Sequence, residues 1–597
     1  MSDEPVGGDK RKTASSESSN VPAEKGSSEL VHAIPNLSGA SQAADAVPSL
    51  SGTAQAVDAC RKKKNLGLLV VVVIAFLVFV PGLGAFGILE PSDGLYSECT
   101  REMIELGNYM TPHFGYQPFL EKPILIYWAI LVSFKLFGIS AWAGRLPSAL
   151  SGILCAVSVA LLTAKFIGQR AATAAALILV SAPLFAVIGH LALSDMMVTL
   201  FMTVALLAIF ARLQGGSIRL LGLAYFSLGL LILTKGPVPV GFVAGIVAVY
   251  LFCLGPKPGE HWYQMWWRQA WSLHPIVGTL FMLLISAPWY VSENAATHGA
   301  FFQEFFVRQN LGRAAGTVNH QEPWNFYFPY LVGGLMPWWP ILVFAPKLLW
   351  HSWQRRRRPG SLHRLTLFCA IWSTAVVVLF SLIKTKLATY VLPACPAVAI
   401  LCATTLMVLV KRKQLWPIAF TFAAAVATLF TSWFYCGAGD YKQFADGWSQ
   451  SLSSSGAALF LGCLLGALIL LAMKRAKIAV CLTLLTIPLA MALLIPAALH
   501  IYDNKHDRPY REVVMASQQP NASVALFMRD SPTALFYTRH NFPILYSAEE
   551  LRNFNRTMPG KHLLIVDDDV LVQAVQRAPN LKMLHRKSKF TLFCIDP

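Results

Sequence analysis

The chain has 597 residues, of which 55% are hydrophobic and 13% are charged, and its mean hydropathy is +0.52. A soluble protein carries about twice that fraction of charged residues, so the composition excludes a soluble enzyme, a fibrous protein and a disulfide-rich secreted scaffold. The class that remains is a polytopic membrane protein, and the net charge of +18 must be placed on one of its faces.

The N-terminal residues 1–64 are rich in Ser, Ala and Gly and almost lack aromatic side chains. Such a segment cannot bury enough apolar surface to offset the entropy of ordering, so we predict a disordered cytoplasmic tail. It ends in the basic cluster Arg61–Lys64, directly before an apolar run at 65–89. This order predicts a first membrane helix whose N-terminus is cytoplasmic.

Twelve further apolar runs have the length of a membrane span, which gives thirteen predicted helices in a transmembrane domain over 65–500. The segment 124–137 is too short to be another span, and we predict a re-entrant or interfacial helix there. The twelve runs are 144–164, 171–189, 196–212, 219–234, 237–255, 273–290, 326–346, 365–383, 387–410, 416–435, 455–473 and 478–500.

The basic residues alternate between the connections of these helices. One face carries 22 Lys and Arg residues and the opposite loops carry ten, which makes the first face cytoplasmic by the positive-inside rule. The first outer loop (90–143), the large outer loop (291–325) and the C-terminal segment 501–597 are then extracytoplasmic. In that last segment, short β-type runs near 523–530, 535–540 and 562–575 alternate with helical stretches, which predicts a small soluble α/β domain.

Ionisable residues of both signs concentrate at the predicted outer face. Charges at membrane depth are costly and are usually paired or functional, although a solvated loop with interfacial aromatic residues is an alternative interpretation. Lysines suit a phosphate as point charges, and carboxylates suit proton abstraction. A lipid phosphate that carries a group to be transferred needs both. The residues concerned are the acids Asp93, Glu98, Glu121 and Asp195 and the bases Arg101, Lys122, Lys235 and Lys386.

The same stretches resemble glycosyltransferase family 39, and in particular its aminoarabinose-transferase-like members. The resemblance runs in order over about residues 65–400 and includes PSDGLYSECTREM (91–103), GYQPFLEKPILIYW (115–128), LALSDMM (191–197), LTKG (233–236) and KTKLATYVLP (384–393). It implies an all-α polytopic protein of the GT-C fold. It also implies an enzyme that moves a sugar from a polyprenyl-phosphate donor, on the outer face, to lipid A, protein or another glycan.

The resemblance assigns roles to individual residues. Asp93 and Asp195 are expected to be catalytic. The expected donor and phosphate-binding residues are Glu121, Lys122, Arg101, Lys235, Lys386 and Tyr390. Further candidates are Tyr96, Glu98, Ser92, Arg308, Arg313 and His320.

The sequence departs from the family pattern at the acidic position. Ser92 occupies the place of the family's catalytic aspartate, and Leu95 replaces an arginine that contacts the donor phosphate in relatives. Three interpretations stay open. Asp93 serves as the base after a local shift; or the acceptor is an ionised phosphate that needs no strong base; or the protein is a weakened or inactive member.

We therefore expect a glycosyltransferase of a bacterial inner membrane. Its expected partners are a polyprenyl-phosphate-sugar donor, an envelope acceptor and membrane lipids, without nucleic acid. No cofactor or metal ligand set is predicted, and a divalent metal stays open. The rival classes are a transporter or flippase, whose ionisable residues would lie near mid-membrane in an inverted repeat, and a non-catalytic scaffold.

Overall fold

The structure is a computed structural model, which describes residues 50–256, 259–312, 322–356, 362–435, 443–528, 531–558, 560–577 and 581–595. The chain divides into two units, Met1–Lys62 and Lys63–Pro597. Helix α1 extends from Leu50 to Phe79, so it begins before the predicted start at residue 65 and ends before the predicted end at 89. The predictions for residues 1–49 lie outside the described part of the chain.

The first half of the second unit consists of helices and one short hairpin. After α1 the order is α2 (Ser92–Glu105), β1 (His113–Phe114), β2 (Gln117–Pro118), α3 (Leu125–Phe137), α4 (Ala141–Ile167), α5 (Gln169–Val180), α6 (Pro183–Gly189), α7 (Ser194–Leu213), α8 (Arg219–Lys235), α9 (Val238–Leu254), α10 (Trp262–Trp271) and α11 (Pro275–Ala296). Helix α3 occupies the segment predicted as a short helix that does not span the membrane.

The second half begins with shorter elements and ends in long helices. A π-helix covers Phe302–Leu311, and 3-10 helices cover Trp339–Phe344 and Ala388–Ala394. The α-helices are Tyr327–Gly334, Pro346–Gln354, Leu362–Leu382, Cys395–Lys411, Leu415–Tyr435, Gly447–Ala472, Ala476–His506 and Arg508–Ala516.

The number of spans is smaller than predicted when each helix is judged by its own length and composition. Among the described residues, seven helices are long and apolar enough to cross a membrane, or eight if the bent pair α5–α6 forms one span. The predicted total of thirteen is therefore not confirmed. The segment 326–346 in particular is not one helix but Tyr327–Gly334 followed by the 3-10 turn Trp339–Phe344. Two prolines, Pro337 and Pro340, interrupt its backbone hydrogen bonding.

The core lies where helices of the two halves meet. In the spans Ser194–Leu213 and Ala388–Lys411, 83% and 89% of the most apolar stretch is buried inside the protein. The span Trp262–Ala296 has only 17% buried and lies at the periphery. Central helices are apolar all round because their neighbours cover every face.

The C-terminal region contains a mixed five-stranded sheet in the order β4-β3-β5-β7-β6. Its strands are β3 (Ala522–Phe527), β4 (Ile544–Leu545), β5 (Lys561–Asp567), β6 (Leu581–Lys587) and β7 (Phe590–Ile595), and helices cover Pro532–Thr538, Ala548–Thr557 and Asp568–Arg577. In β5, Leu563 and Ile565 pack on one face and Leu564 and Val566 on the other, as the alternation of a strand requires. The predicted β-type run at 535–540 lies mainly in a helix.

This C-terminal region packs directly on the first outer loop. The carboxylate of Glu90 accepts hydrogen bonds from Ser531 Oγ (2.7 Å) and from the amide of Thr533 (2.8 Å). Asp503 pairs with Arg511 (2.6 Å) and also accepts from the amide of Gly87 (2.9 Å). The loop and the C-terminal region consequently lie on the same side of the helical bundle.

Candidate active site

An ion pair joins the ends of two neighbouring helices. Asp195 lies in the first turn of α7, and Lys235 is the last residue of α8. Their Oδ1 and Nζ atoms are 2.8 Å apart. A helix N-terminus stabilises a carboxylate and a C-terminus stabilises a cation, so each helix end supports the charge that it carries.

The end of α8 is fixed by Gly236. This residue has φ +86° and terminates the helix, and a Cβ at its position would lie 2.7 Å from the ring of Phe305. Only glycine combines that backbone conformation with so close an approach. Lys235 is thereby held at the helix end, with its Nζ 5.5 Å from the centre of the Tyr390 ring.

The ion pair lines a cavity of about 210 Å³, which we call the Asp195–Lys235 cavity. The motif residues Glu121 and Lys122 form another part of its wall, and Tyr390 a third. Apolar side chains supply most of the remaining surface, namely Val198, Met202, Val238, Pro239, Phe242, Phe305, Phe380 and Ile383. Two lysines and two carboxylates thus meet in a largely apolar hollow, where low polarity strengthens electrostatic interactions.

Asp93, predicted as a catalytic base, does not line this cavity. It is 3% exposed and forms an ion pair with Arg145, at 2.6 Å between Oδ2 and Nη2. It also accepts from the amides of Leu89 (3.0 Å) and Ala192 (2.7 Å). The carboxylate is therefore fully engaged inside the protein, an environment that differs from the one a general base needs.

Asp93 instead helps to hold the turn that precedes Asp195. The Asp93 carboxylate accepts from the amide of Ala192. In the same turn, Ser148 Oγ donates to the carbonyl of Leu193 and accepts from the amide of Leu193. The hydroxyls of Tyr96 and Ser194 are 3.1 Å apart. Burial raises the pKa of Tyr96, so its hydroxyl stays protonated.

The predicted phosphate-binding Arg101 is likewise turned away from the cavity. It is 1% exposed, donates Nε and Nη2 to Glu98 at 2.7 and 2.5 Å, and also pairs with Glu105. Burial raises the pKa of Glu98 to about 7, although Arg101 opposes that shift. The predicted sites at Arg101 and Glu98 are thus an internal ion pair of α2.

Lys386, predicted to bind the donor phosphate, is buried and donates to the carbonyl of Glu322 (2.7 Å). It joins the segment at residues 384–386 to the backbone at Glu322 rather than lining the cavity. Tyr390, from the same motif, does line it.

The remaining candidates lie elsewhere. Ser92 is exposed at the beginning of α2, and Arg308 is exposed and pairs with Glu304 at 3.0 Å. Arg313 and His320 lie outside the described residues. Within the part of the chain that the structure describes, no three His, Cys, Asp or Glu side chains are placed to hold a metal ion.

Several residues of the site were missed in the sequence. Arg145 was counted only among the ten basic residues of the predicted outer loops, although an arginine just inside an apolar run indicates a buried partner. Gln309, Thr385 and Thr389 contribute polar groups to the cavity wall. None of the three was named as a candidate, although Thr385 and Thr389 lie within KTKLATYVLP (384–393), because only the fold brings their segments to α7 and α8.

Comparison with known proteins identifies related sequences. The profile of the dolichyl-phosphate-mannose-protein mannosyltransferase family matches residues 121–291, a range that begins at Glu121 and includes Asp195 and Lys235. The undecaprenyl phosphate-alpha-4-amino-4-deoxy-L-arabinose arabinosyl transferase 1 of Pseudomonas fluorescens is 30% identical over 341 residues. That match covers 56% of this chain and 59% of the relative. The predicted family resemblance is confirmed.

A relative with the same enzyme name in Edwardsiella ictaluri is 30% identical over 57% of this chain and 59% of its own length. The chain therefore matches somewhat more than half the length of these aminoarabinose-transferase relatives.

Solved structures agree on the fold. ArnT from Cupriavidus metallidurans bound to undecaprenyl phosphate superposes with a TM-score of 0.67 at 24% identity, over 88% of this chain and 98% of that one. The Archaeoglobus fulgidus oligosaccharyltransferase superposes with a TM-score of 0.51 at 12% identity, over 86% of this chain and 71% of that one. The chain is a mostly helical, multi-pass membrane protein with the GT-C fold.

Proposed function

We propose that the protein is an integral-membrane glycosyltransferase. It moves a sugar from a polyprenyl-phosphate donor to an envelope acceptor, which is a lipid A-like glycolipid, a protein or a glycan. The observation that carries this proposal is the Asp195–Lys235 pair in a cavity that also contains Glu121 and Lys122. The relatives in Pseudomonas fluorescens and Edwardsiella ictaluri, whose names specify an undecaprenyl-phosphate-linked sugar, support the same donor class.

The cavity has the chemistry that such a donor requires. Lys122 and Lys235 supply positive charge for a phosphate as ammonium point charges. The apolar side chains beside them, such as Phe242 and Phe380, suit the first isoprene units of a lipid chain. The ring of Tyr390 lies beside Lys235, with 5.5 Å between the ring centre and Nζ.

In the proposed reaction the acceptor oxygen attacks the anomeric carbon. The bond between that carbon and the phosphate oxygen breaks, and the electron pair leaves with the polyprenyl phosphate. Lys122 and Lys235 stabilise the charge that develops on the phosphate in the transition state. Attack from the side opposite the phosphate inverts the anomeric configuration.

For a hydroxyl acceptor, the proton passes to a carboxylate. Of the two predicted catalytic acids, Asp93 and Asp195, it is Asp195 that lines the cavity. Asp93 acts in this proposal as a positioning residue, because its carboxylate holds the Ala192 amide three residues before Asp195. If the acceptor is itself a phosphate, it is already ionised and needs no base. In that case Asp195 serves mainly to hold Lys235.

The proposed topology has thirteen crossings, with the N-terminus in the cytoplasm and the site and the C-terminal α/β domain outside a bacterial inner membrane. The basic asymmetry of the connections supports this orientation. The contacts of Glu90 with Ser531 and Thr533 support a common side for the first outer loop and the C-terminal region.

The test is mass spectrometry of envelope glycolipids and glycoproteins from cells that lack the protein, carry it, or carry Asp195→Asn. We expect one sugar-modified species that requires the protein. Its formation should fall by about 10²–10⁴ with Asp195→Asn if this carboxylate is the base.

A matched control is Asp568→Asn, which removes one partly exposed carboxylate of the Asp568–Arg586 pair, far from the cavity residues in sequence. It should leave the product unchanged. Identical envelopes with and without the protein would refute the proposed function. An unchanged product with Asp195→Asn would exclude Asp195 as the base.

A further inference from the structure

A second cavity, of about 420 Å³, lies between the helices Pro346–Gln354, Leu362–Leu382 and Cys395–Lys411. We call it the basic cavity. Its polar lining consists of His351, Arg355, His363, Lys411 and Arg412, and no Asp or Glu is found among the described residues that line it. Three permanent cations without an acidic side chain in the wall make this a region of positive potential that attracts anions.

The basic cavity is far from the Asp195–Lys235 cavity. Leu362 lines the basic cavity and Phe380 lines the Asp195–Lys235 cavity. Both residues belong to the helix Leu362–Leu382. They are 18 positions apart along the α-helix, which corresponds to about 27 Å. Such a distance is close to the thickness of the hydrocarbon core of a bilayer, so the two cavities lie at opposite membrane surfaces.

One side of the basic cavity is held by a chain of hydrogen bonds. Ser352 Oγ donates to the carbonyl of Leu348 (2.7 Å), and it therefore accepts from His363 Nδ1 (3.1 Å). This assignment leaves His363 Nε2 as an acceptor toward Arg355 Nη1, at 3.5 Å. The imidazole is thus fixed in orientation, and it positions the guanidinium of Arg355 at the rim.

The apolar part of the wall distinguishes between kinds of anion. Leu348, Leu362 and Val408 line the same cavity as the cations. A free inorganic phosphate gains nothing from such side chains, whereas a lipid places glycerol and the first acyl carbons beside its phosphate. Basic pockets between helices on the cytoplasmic side are suited to anionic head groups.

We propose that the basic cavity binds the phosphate group of an anionic phospholipid, in the leaflet opposite the Asp195–Lys235 cavity. Arg355 and Arg412 offer paired N–H donors to the phosphate oxygens, and Lys411 adds a third charge. The lipid would join three helices at this end of the bundle, at a place separate from the proposed reaction.

The experiment uses the purified full-length protein in neutral detergent, titrated with short-chain phosphatidylglycerol, short-chain phosphatidylcholine and inorganic phosphate. The test variant combines Arg355→Gln, Lys411→Gln and Arg412→Gln. The control variant combines Lys474→Gln, Arg475→Gln and Lys477→Gln, which removes the same charge from exposed residues of another connection on the same predicted face. A third variant, Arg355→Lys with Arg412→Lys, changes two of the same positions but keeps the positive charge. Binding by this variant distinguishes loss of charge from loss of folding.

We expect phosphatidylglycerol to bind the wild type and the control equally, and the test variant at least tenfold more weakly. Phosphatidylcholine should bind poorly to all three. The charge-retaining variant should keep most of the affinity, and added salt should weaken binding. Equal weakening in the test and control variants would overturn the site in favour of a diffuse surface charge. If inorganic phosphate displaced the lipid completely and depended on the same residues, a soluble phosphate would replace the lipid as the ligand.

Discussion

Asp93 and Asp195 have different surroundings, and of the two only Asp195 lines the Asp195–Lys235 cavity. Both were predicted as catalytic from their motifs. Asp93 is enclosed by Arg145 and two backbone amides, and Asp195 opens onto the cavity beside Lys235. The sequence could not reveal the difference, because Arg145 follows Asp93 by 52 residues and no local pattern connects them.

Substitution of Asp93 is therefore expected to affect stability first. Asp93→Asn would leave the buried guanidinium of Arg145 without its counter-charge, at a cost of about 3–5 kcal/mol in the free energy of unfolding. The measurement is thermal unfolding of the purified protein, with turnover recorded per folded molecule.

The double variant Asp93→Asn with Arg145→Met provides the control. Removing both charges should restore part of the lost stability, since a buried ion pair can often be replaced by apolar groups. If Asp93→Asn retained wild-type stability but lost turnover, Asp93 would be the base after all, as one of the interpretations from the sequence holds.

At the scale of elements, α2 holds the β1–β2 hairpin, which lies directly before the Glu121–Lys122 motif in the chain. The buried carboxylate of Glu102 accepts from the amides of Gly115 (2.9 Å) and Tyr116 (2.7 Å). Both residues have φ 61°, in the left-handed region. A tyrosine in this conformation is strained, and the two bonds to Glu102 help to keep the turn closed.

Glu102→Ala should loosen this turn without touching the cavity. It would leave two amides without their acceptor, at roughly 1–3 kcal/mol for each one that stays buried. We expect faster hydrogen exchange in peptides that cover residues 113–120, and a higher KM for the donor. Glu102→Gln keeps one oxygen acceptor and should give an intermediate rate. Unchanged exchange in Glu102→Ala would mean that the hairpin is held by other contacts.

Element prediction failed where hydropathy and backbone chemistry disagree. The run 326–346 is apolar enough for a span, but it contains Gly333, Gly334, Pro337 and Pro340 and forms two short helices. In contrast, the bounds of the short helix α3 (Leu125–Phe137) agree with the predicted segment 124–137, whose apolar run ends at Gly138 with φ 81°. Composition indicates what can be buried, whereas glycine and proline decide where a helix can continue.

At the scale of the whole molecule, hydrogen bonds join the C-terminal region to the segment that leads into the first outer loop. Arg511 pairs with the buried Asp503 and also donates to the carbonyl of Ile88 (3.3 Å). The sequence predicted an α/β region here but no role for it. Contacts between residues more than 400 positions apart cannot be read from local patterns.

These contacts make the orientation of the chain testable. A reporter fused after Pro597 should behave as extracytoplasmic, and one inserted at Lys413, in a basic connection, as cytoplasmic. The two reporters control for each other. A cytoplasmic signal after Pro597 would place the C-terminal region, and the first outer loop with it, on the wrong side for the proposed reaction.

Lys122 and Lys235 are proposed to bind the phosphate of a lipid-linked donor. The most direct measurement is the binding of undecaprenyl phosphate to the purified full-length protein and to Lys122→Ala. The control is Lys135→Ala. The ammonium of Lys135 lies 4.0 Å from the centre of the Tyr109 ring, and Lys135 does not line the cavity. We expect Lys122→Ala to weaken binding of undecaprenyl phosphate at least tenfold, or about 1.4 kcal/mol. Lys122→Arg should recover only part of the wild-type affinity, because a guanidinium differs in shape from an ammonium. Lys135→Ala should bind like the wild type. Equal binding by the wild type and Lys122→Ala would contradict the proposed phosphate site.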